Sequence, residues 1–203
     1  MSQQFPELRC GDEFAVCTDR FFGRLINIRQ RLQAADREAT YNHCGIIKNA
    51  AGDTFESRRR IDNYNLFKMY AGRKIIIMRP NVPQETLAGA IAQLEEKFKG
   101  RVYPWWRIVL HILSPALARD ISLSGIPVCS ELQGFQRFLI GVRHKYYMGS
   151  TPDLLVDEAR HWREYSLPYE DTCPESLPPP LTVDVMDAQE ATGDTPTIFT
   201  GSP

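Results

Sequence analysis

The chain has 203 residues, 43% of them apolar and 24% charged, with a formal net charge of −1. A length and composition of this kind describe one globular domain that can bury a sizeable core without disulfide staples. The near-zero total hides an asymmetry: residues 164–203 hold eight acids and no Lys or Arg, leaving +7 on residues 1–163, where the bases are too scattered to argue for a nucleic-acid partner.

In chain order, Gly11-Asp12 leads into an apolar stretch, Glu13 to Thr18, that reads as a first strand. Residues 20–33 carry Phe21, Phe22, Leu25, Ile28 and Leu32 at helical spacing, which predicts an amphipathic helix packed on a sheet. Residues 41–48 and 53–59 read as a hairpin turning through Asn49-Ala50-Ala51-Gly52-Asp53. Lys74 to Arg79 is a buried strand that stops at Pro80. Pro83 to Lys99 is a helix with Leu87, Ile91, Leu94 and Phe98 on one side, closed by Gly100. Tyr103 to Ile126 is an aromatic and apolar insertion whose longest run is broken by Arg107, His111 and Pro115, so it is not a membrane span. A second long helix runs from Cys129 to Ile140, with Leu132, Phe135, Phe138 and Leu139 as its apolar face, and a short one follows from Thr151 to Trp162. The domain is expected to occupy residues 1–168. Residues 169–203, rich in Pro and acids, read as an extended or disordered tail that makes weak contacts at most. A few antiparallel strands with helices at either end make an α+β fold.

The five cysteines are odd in number and form no paired C-x2-C unit, so neither a zinc site nor a disulfide framework is expected, and no cofactor. Reduced thiols and a polar N-terminus without a signal-peptide layout point to a cytoplasmic protein.

Two segments carry the chemistry. Val128-Cys129-Ser130-Glu131-Leu132 places a cysteine in the first turn of a helix, where unpaired N–H groups and the helix dipole favour a thiolate and can hold an oxyanion. Tyr41-Asn42-His43-Cys44-Gly45-Ile46-Ile47 is a strand with a histidine near its start. Alternation puts His43, Gly45 and Ile47 on one face and Cys44 and Ile46 on the other, so Cys44 is expected to point away from the site. His111, His144 and His161 lie in weaker contexts for a base. Glu56, on the return strand, is the candidate to orient His43, although register arithmetic places residues 58–60 opposite His43 and leaves Glu56 offset along the strand. Arg58-Arg59-Arg60 reads as a solvated strand end, or less plainly as an anion contact.

Four segments in order resemble the circularly permuted NlpC-type members of the papain-like cysteine hydrolases. YiiX-like proteins are the nearest comparison, and lecithin–retinol acyltransferases are more distant. The segments are Gly11-Asp12 before a strand, Asn42-His43-Cys44-Gly45-Ile46-Ile47, Phe55-Glu56-Ser57, and Val128-Cys129-Ser130-Glu131-Leu132. Tyr103 stands where these proteins place a tyrosine near the site, followed here by Pro104 instead of their usual aspartate. The resemblance implies a small antiparallel sheet or open barrel with the nucleophile helix packed on it. Cys129 would attack a carbonyl, His43 would shuttle the proton and Glu56 would orient it. Tyr103 and Ser130 would serve the oxyanion or substrate. The substrate would be a cell-wall peptide or another peptide-like amide. An acyltransferase or lipid deacylase, motivated by the apolar residues 105–113, and an inert binding module (a phage or secretion accessory, for example) stand as alternatives.

Overall fold

The computed structural model describes residues 5–18, 21–33, 39–103, 125–143, 150–161 and 165–175. Its centre is β1 (Glu13–Val16), a four-residue strand buried at every position. A strand buried on both faces must be covered on both, and the rest of the fold follows from that. β1 pairs with β2 (His43–Ile47) on one side and β5 (Lys74–Pro80) on the other. β3 (Asp53–Ser57) and β4 (Ile61–Asn65) extend the sheet beyond β2, and β6 (Tyr165–Thr172) extends it beyond β5. The order is β4-β3-β2-β1-β5-β6, every pair is antiparallel, and the sheet is open. The fold is α+β.

The helices are α1 (Phe21–Gln33), α2 (Leu66–Tyr70), α3 (Gln84–Phe98), α4 (Cys129–Leu139) and α5 (Pro152–His161). Strand alternation sorts the core into two layers. Phe14, Val16, Ile47, Ile75 and Ile77 face Leu66, Phe67 and Tyr70 of α2. On the other face, Ala15, Cys44, Ile76 and Met78 meet Cys129 of α4 and Leu155, Val156 and Ala159 of α5. Ile46, Phe55 and Ile61 meet Leu132 of α4 and Ile91, Leu94 and Phe98 of α3. None of the helices among the described residues is long and apolar enough to cross a membrane.

Four features of the fold depart from the sequence reading or lie outside it. First, β6 continues the sheet through Thr172, with Tyr169 and Cys173 in the core, so the ordered body runs past the expected boundary at residue 168. Tyr169 and Cys173 among prolines and acids look like tail composition, but β5 offers an unpaired edge, and backbone pairing overrides composition. Residues 176–203 lie outside the described residues. Second, residues 61–70 carry weak sequence signals, because Asp62, Asn63 and Asn65 are poor strand formers. They nevertheless form β4 and α2, with the Asn65 side chain accepting from Lys68 N at 3.3 Å to cap the helix. Third, α1 does not lay its apolar stripe on the sheet: Ile28 is 56% and Leu32 75% exposed. Both sheet faces are already covered by other helices. Among the described side chains of α1 the buried one is Gln30, whose Nε2 donates to Tyr41 O at 2.8 Å and whose Oε1 accepts from Asp153 N at 3.2 Å.

The fourth feature concerns α4. Leu132 is buried as expected, but Phe138 is 43% exposed, while Gln133, Gln136 and Arg137 are fully buried. The helix is locked to β1 by polar groups. Arg137 Nη2 meets Glu13 Oε2 at 2.7 Å, Gln133 Nε2 donates to the same oxygen at 2.7 Å, and Arg137 Nη2 also donates to Leu155 O at 2.9 Å. Gln136 Nε2 donates to Gly11 O at 3.0 Å. A buried carboxylate needs a charged partner and several donors, and α4 supplies them.

Candidate active site

β3 is the strut of the site. Ser57 Oγ donates to Pro127 O at 2.9 Å and so ties the lead-in of α4 to the sheet. Beside it, Glu56 points to the opposite face. The β2–β3 register pairs Ile46 with Phe55 and Ile47 with Thr54. Continued, it sets Glu56 opposite Gly45 and residue 58 opposite His43, as the sequence arithmetic had it. The offset is bridged by the missing side chain at Gly45: a Cβ there would lie 2.6 Å from Glu56 Cγ and 2.8 Å from Phe14. Glu56 leans across that gap, and its Oε2 meets His43 Nε2 at 2.9 Å. Gly45→Ala is therefore expected to push Glu56 off His43 and overpack Phe14. A cost of about 1–3 kcal/mol would lower the melting temperature by roughly 2–12 °C and slow Cys129 alkylation severalfold; unchanged melting and labelling would refute the close-approach role.

Glu56 is fully buried and its acceptors are filled. Thr54 Oγ1 donates to Oε1, and Tyr70 Oη donates to Oε2 at 2.5 Å. Burial alone would raise its pKa, but the hydrogen bonds and charge of His43, with those of Thr54 and Tyr70, hold the carboxyl below its ordinary value. Burial and the same carboxylate push the Tyr70 phenol well above its ordinary value, so it stays a donor. Thr54 and Tyr70 were not legible in advance, since Tyr70 sits on α2, a helix without a sequence signal.

His43 is the first residue of β2, at the end of the sheet. Asn42 braces that end: its Oδ1 accepts from Thr18 N at 2.9 Å and Thr18 Oγ1 at 2.7 Å, and its Nδ2 donates to Thr18 O at 2.9 Å. Asp153 Oδ1 accepts from Thr40 N at 3.0 Å and Tyr41 N at 3.2 Å, holding the residues that lead into it. With Nε2 on Glu56, the other ring nitrogen is left for Cys129. Burial disfavours the imidazolium, but the Cys129 thiolate and the Glu56 carboxylate outweigh it and raise the His43 pKa to about 9.

Cys129 opens α4, where the Glu131 carboxylate accepts from Val128 N at 3.1 Å. Its thiol is held well below the ordinary value. A hydrogen bond from the Cys44 thiol and the charge of His43 outweigh the opposing effect of burial, and the Cys44 backbone adds a further hydrogen bond. This corrects the expectation for Cys44. Its side chain does lie on the face opposite His43, but α4 packs on that face, so Cys44 shares a buried cluster with Cys129 and, with His43, favours its thiolate. The Cys44 thiol is fully buried, and burial together with the Cys129 charge raises its pKa well above the ordinary value.

His43, Ser57, Arg58, Arg59, Tyr70, Tyr103 and Cys129 line one open cavity of about 790 Å³, which α1 borders with Gly23 and Ile26. Tyr103 is thus where expected. Ser130 is not: its hydroxyl is buried and donates to Ser150 O at 2.5 Å, so it offers the cavity no donor. In the second position of the helix its side chain turns toward the neighbouring loop. His111, His144 and the apolar residues 105–113 lie outside the described residues, as does the side chain of His161. No group of three or more His, Cys, Asp or Glu placed to hold a metal occurs among the described residues.

No family model matches the chain, and no curated protein matches it. Among solved structures, that of the metalloprotein yiiX from Escherichia coli O157:H7 is similar, at 16% identity over 84% of this chain and 91% of that chain, with a TM-score of 0.49.

Proposed function

We propose that the chain is a cysteine hydrolase of amide bonds, a papain-like enzyme of the permuted NlpC type, with Cys129 as nucleophile, His43 as proton carrier and Glu56 as the group that orients His43. The observation that carries this reading is the placing of one imidazole: Nε2 is tied to a buried, fully hydrogen-bonded carboxylate, and the same ring lines an open cavity together with a thiol at a helix N-terminus. A merely structural histidine has no need of that arrangement.

The thiolate of Cys129 adds to the carbonyl carbon, and the charge moves to the carbonyl oxygen. The first-turn N–H groups of α4, that of Cys129 among them, have no intrahelical partner and can stabilise it. The imidazolium of His43 gives its proton to the leaving nitrogen, the C–N bond breaks and the amine departs, leaving a thioester on Cys129. Water then attacks the thioester as His43 takes its proton. The C–S bond breaks, the acid is released and the thiolate returns. Peptide-like amides are the substrate class.

The test is a burst experiment with p-nitrophenyl acetate. A burst of p-nitrophenolate stoichiometric with protein is expected, with an acetyl group on Cys129 by mass spectrometry, both lost in Cys129→Ala. Acetylation elsewhere, or a burst that survives Cys129→Ala, would refute the reading. With a peptide anilide the leaving nitrogen needs the His43 proton. The rate should therefore fall as pH rises through about 9, where His43 loses it. On the acid side it should hold well below the ordinary thiol range, because Cys129 remains ionised there.

A further inference from the structure

Two guanidinium groups, Arg58 and Arg59, line the same cavity as Cys129 and His43. They follow Ser57 directly, so β3 carries them to the mouth of the site. Arg58 is half-buried and held in place. Its guanidinium carbon lies 5.5 Å from the centroid of the Tyr64 ring and 5.4 Å from that of Tyr70, and Nη1 donates to Tyr70 Oη at 3.1 Å. Stacking fixes a guanidinium without neutralising it.

Three other sheltered arginines meet carboxylates: Arg79 with Asp12, Arg137 with Glu13 and Glu158, Arg143 with Glu158. Neither Arg58 nor Arg59 forms an ion pair among the described residues. The neighbouring carboxylate, Glu56, already accepts from His43, Thr54 and Tyr70. A guanidinium has five N–H donors, and Arg58 commits one of them to Tyr70. A stacked, unpaired guanidinium with donors to spare, in a cavity that also holds an imidazole, is built to receive a planar anion.

We infer that the cavity selects substrates bearing a carboxylate close to the bond that is cut, with Arg58 as the specificity residue and the more exposed Arg59 in support. The inference rests on the reading of Cys129 as nucleophile for the word substrate, but the anion site stands on its own residues. Tyr70 joins the two, since one hydroxyl accepts from Arg58 and donates to Glu56. The anion contact and the orientation of His43 therefore share one rigid frame.

Iodoacetate and iodoacetamide differ in charge and hardly in shape, so their rates on Cys129, read by peptide mass spectrometry on the full chain, measure anion preference at the thiol. The iodoacetate-to-iodoacetamide ratio is expected to exceed that of N-acetylcysteine. In Arg58→Gln it should fall about tenfold, on the order of 1.4 kcal/mol, the scale of one partly exposed charge-assisted hydrogen bond; Arg59→Gln should lower it less. A ratio unchanged in Arg58→Gln assigns the preference to the other cationic groups of the cavity and overturns the inference. Because loss of Arg58 can unsettle Tyr70, a second measurement uses the unaltered protein: glutarate should raise its melting temperature and slow iodoacetamide labelling of Cys129, and glutaramide should do neither. Equal effects of the two also overturn it. If glutarate stabilises the protein but not Arg58→Gln, while neither alkylating agent reaches Cys129, the anion site stands and the nucleophile reading fails.

Discussion

Replacing His43 with alanine is expected to slow iodoacetamide labelling of Cys129 at pH 7 by about thirtyfold, the ratio between a fully ionised thiol and one with an ordinary pKa of about 8.5. Only the thiolate reacts, so the rate follows the ionised fraction. The ionised form is held by the Cys44 thiol on one side and the His43 imidazolium on the other, against the cost of burial. A thiol is a weak donor, whereas the imidazolium brings a full charge, so Cys44→Ala is expected to slow labelling less than His43→Ala. In the unaltered protein Cys129 should be modified long before Cys44, whose thiol is fully buried and shifted the opposite way. Glu56→Gln should fall between the two variants: the amide keeps the shape that His43 leans on but gives up the charge that favours the imidazolium. The measurement is the second-order rate constant at each cysteine by peptide mass spectrometry. Equal constants for Cys129 with and without His43 would separate the imidazole from the thiol chemically, whatever their positions.

The second large effect belongs to the scaffold. Arg137→Met is expected to lower stability by about 3–5 kcal/mol, because it leaves Glu13 ionised, buried and without its cation. For a chain of this size that is a drop of roughly 6–20 °C in melting temperature. Both side chains of the pair are fully buried, and Arg137 additionally meets Glu158 Oε2 at 3.3 Å. The double change Glu13→Leu with Arg137→Met should recover much of the loss, since an apolar pair of similar volume carries no desolvation cost. The cycle of two single variants and the double variant, followed by thermal unfolding, gives the coupling directly. A single variant that melts within about 2 °C of the parent would show that the pair is not desolvated as its burial requires. The lock also bears on the chemistry. Glu13 lies two residues from Ala15, the strand partner of Cys44, and Arg137 lies two turns along α4 from Cys129. Loss of the ion pair should therefore loosen the helix that presents the thiol, and Cys129 labelling should become less selective.

Much of the site could be read from residue order. A cysteine opening a helix, a histidine opening a strand and a glycine two residues further on are local facts, and local facts follow from spacing alone. So was the offset between His43 and Glu56, because strand register is arithmetic once the turn is placed. The same holds for α3, whose apolar period is strong, and for β1, β2, β3 and β5, which show in apolar runs and in the hairpin turn. Periodicity tells which residues of an element share a face; it does not tell what will cover that face. That is why Cys44, correctly placed on the side away from His43, was wrongly placed away from the thiol: long-range packing put α4 on that side. Tyr70 and Thr54 joined the site through a helix and a strand face that the three-dimensional pairing brought beside Glu56, and Ser130 left it because the loop at Ser150 offered its hydroxyl a carbonyl. The polar lock of Glu13 and Arg137 added buried Gln133, Gln136 and Arg137 to the expected apolar face of α4 for the same reason: a buried carboxylate on β1 demands a cation, and no pattern along α4 reveals that demand.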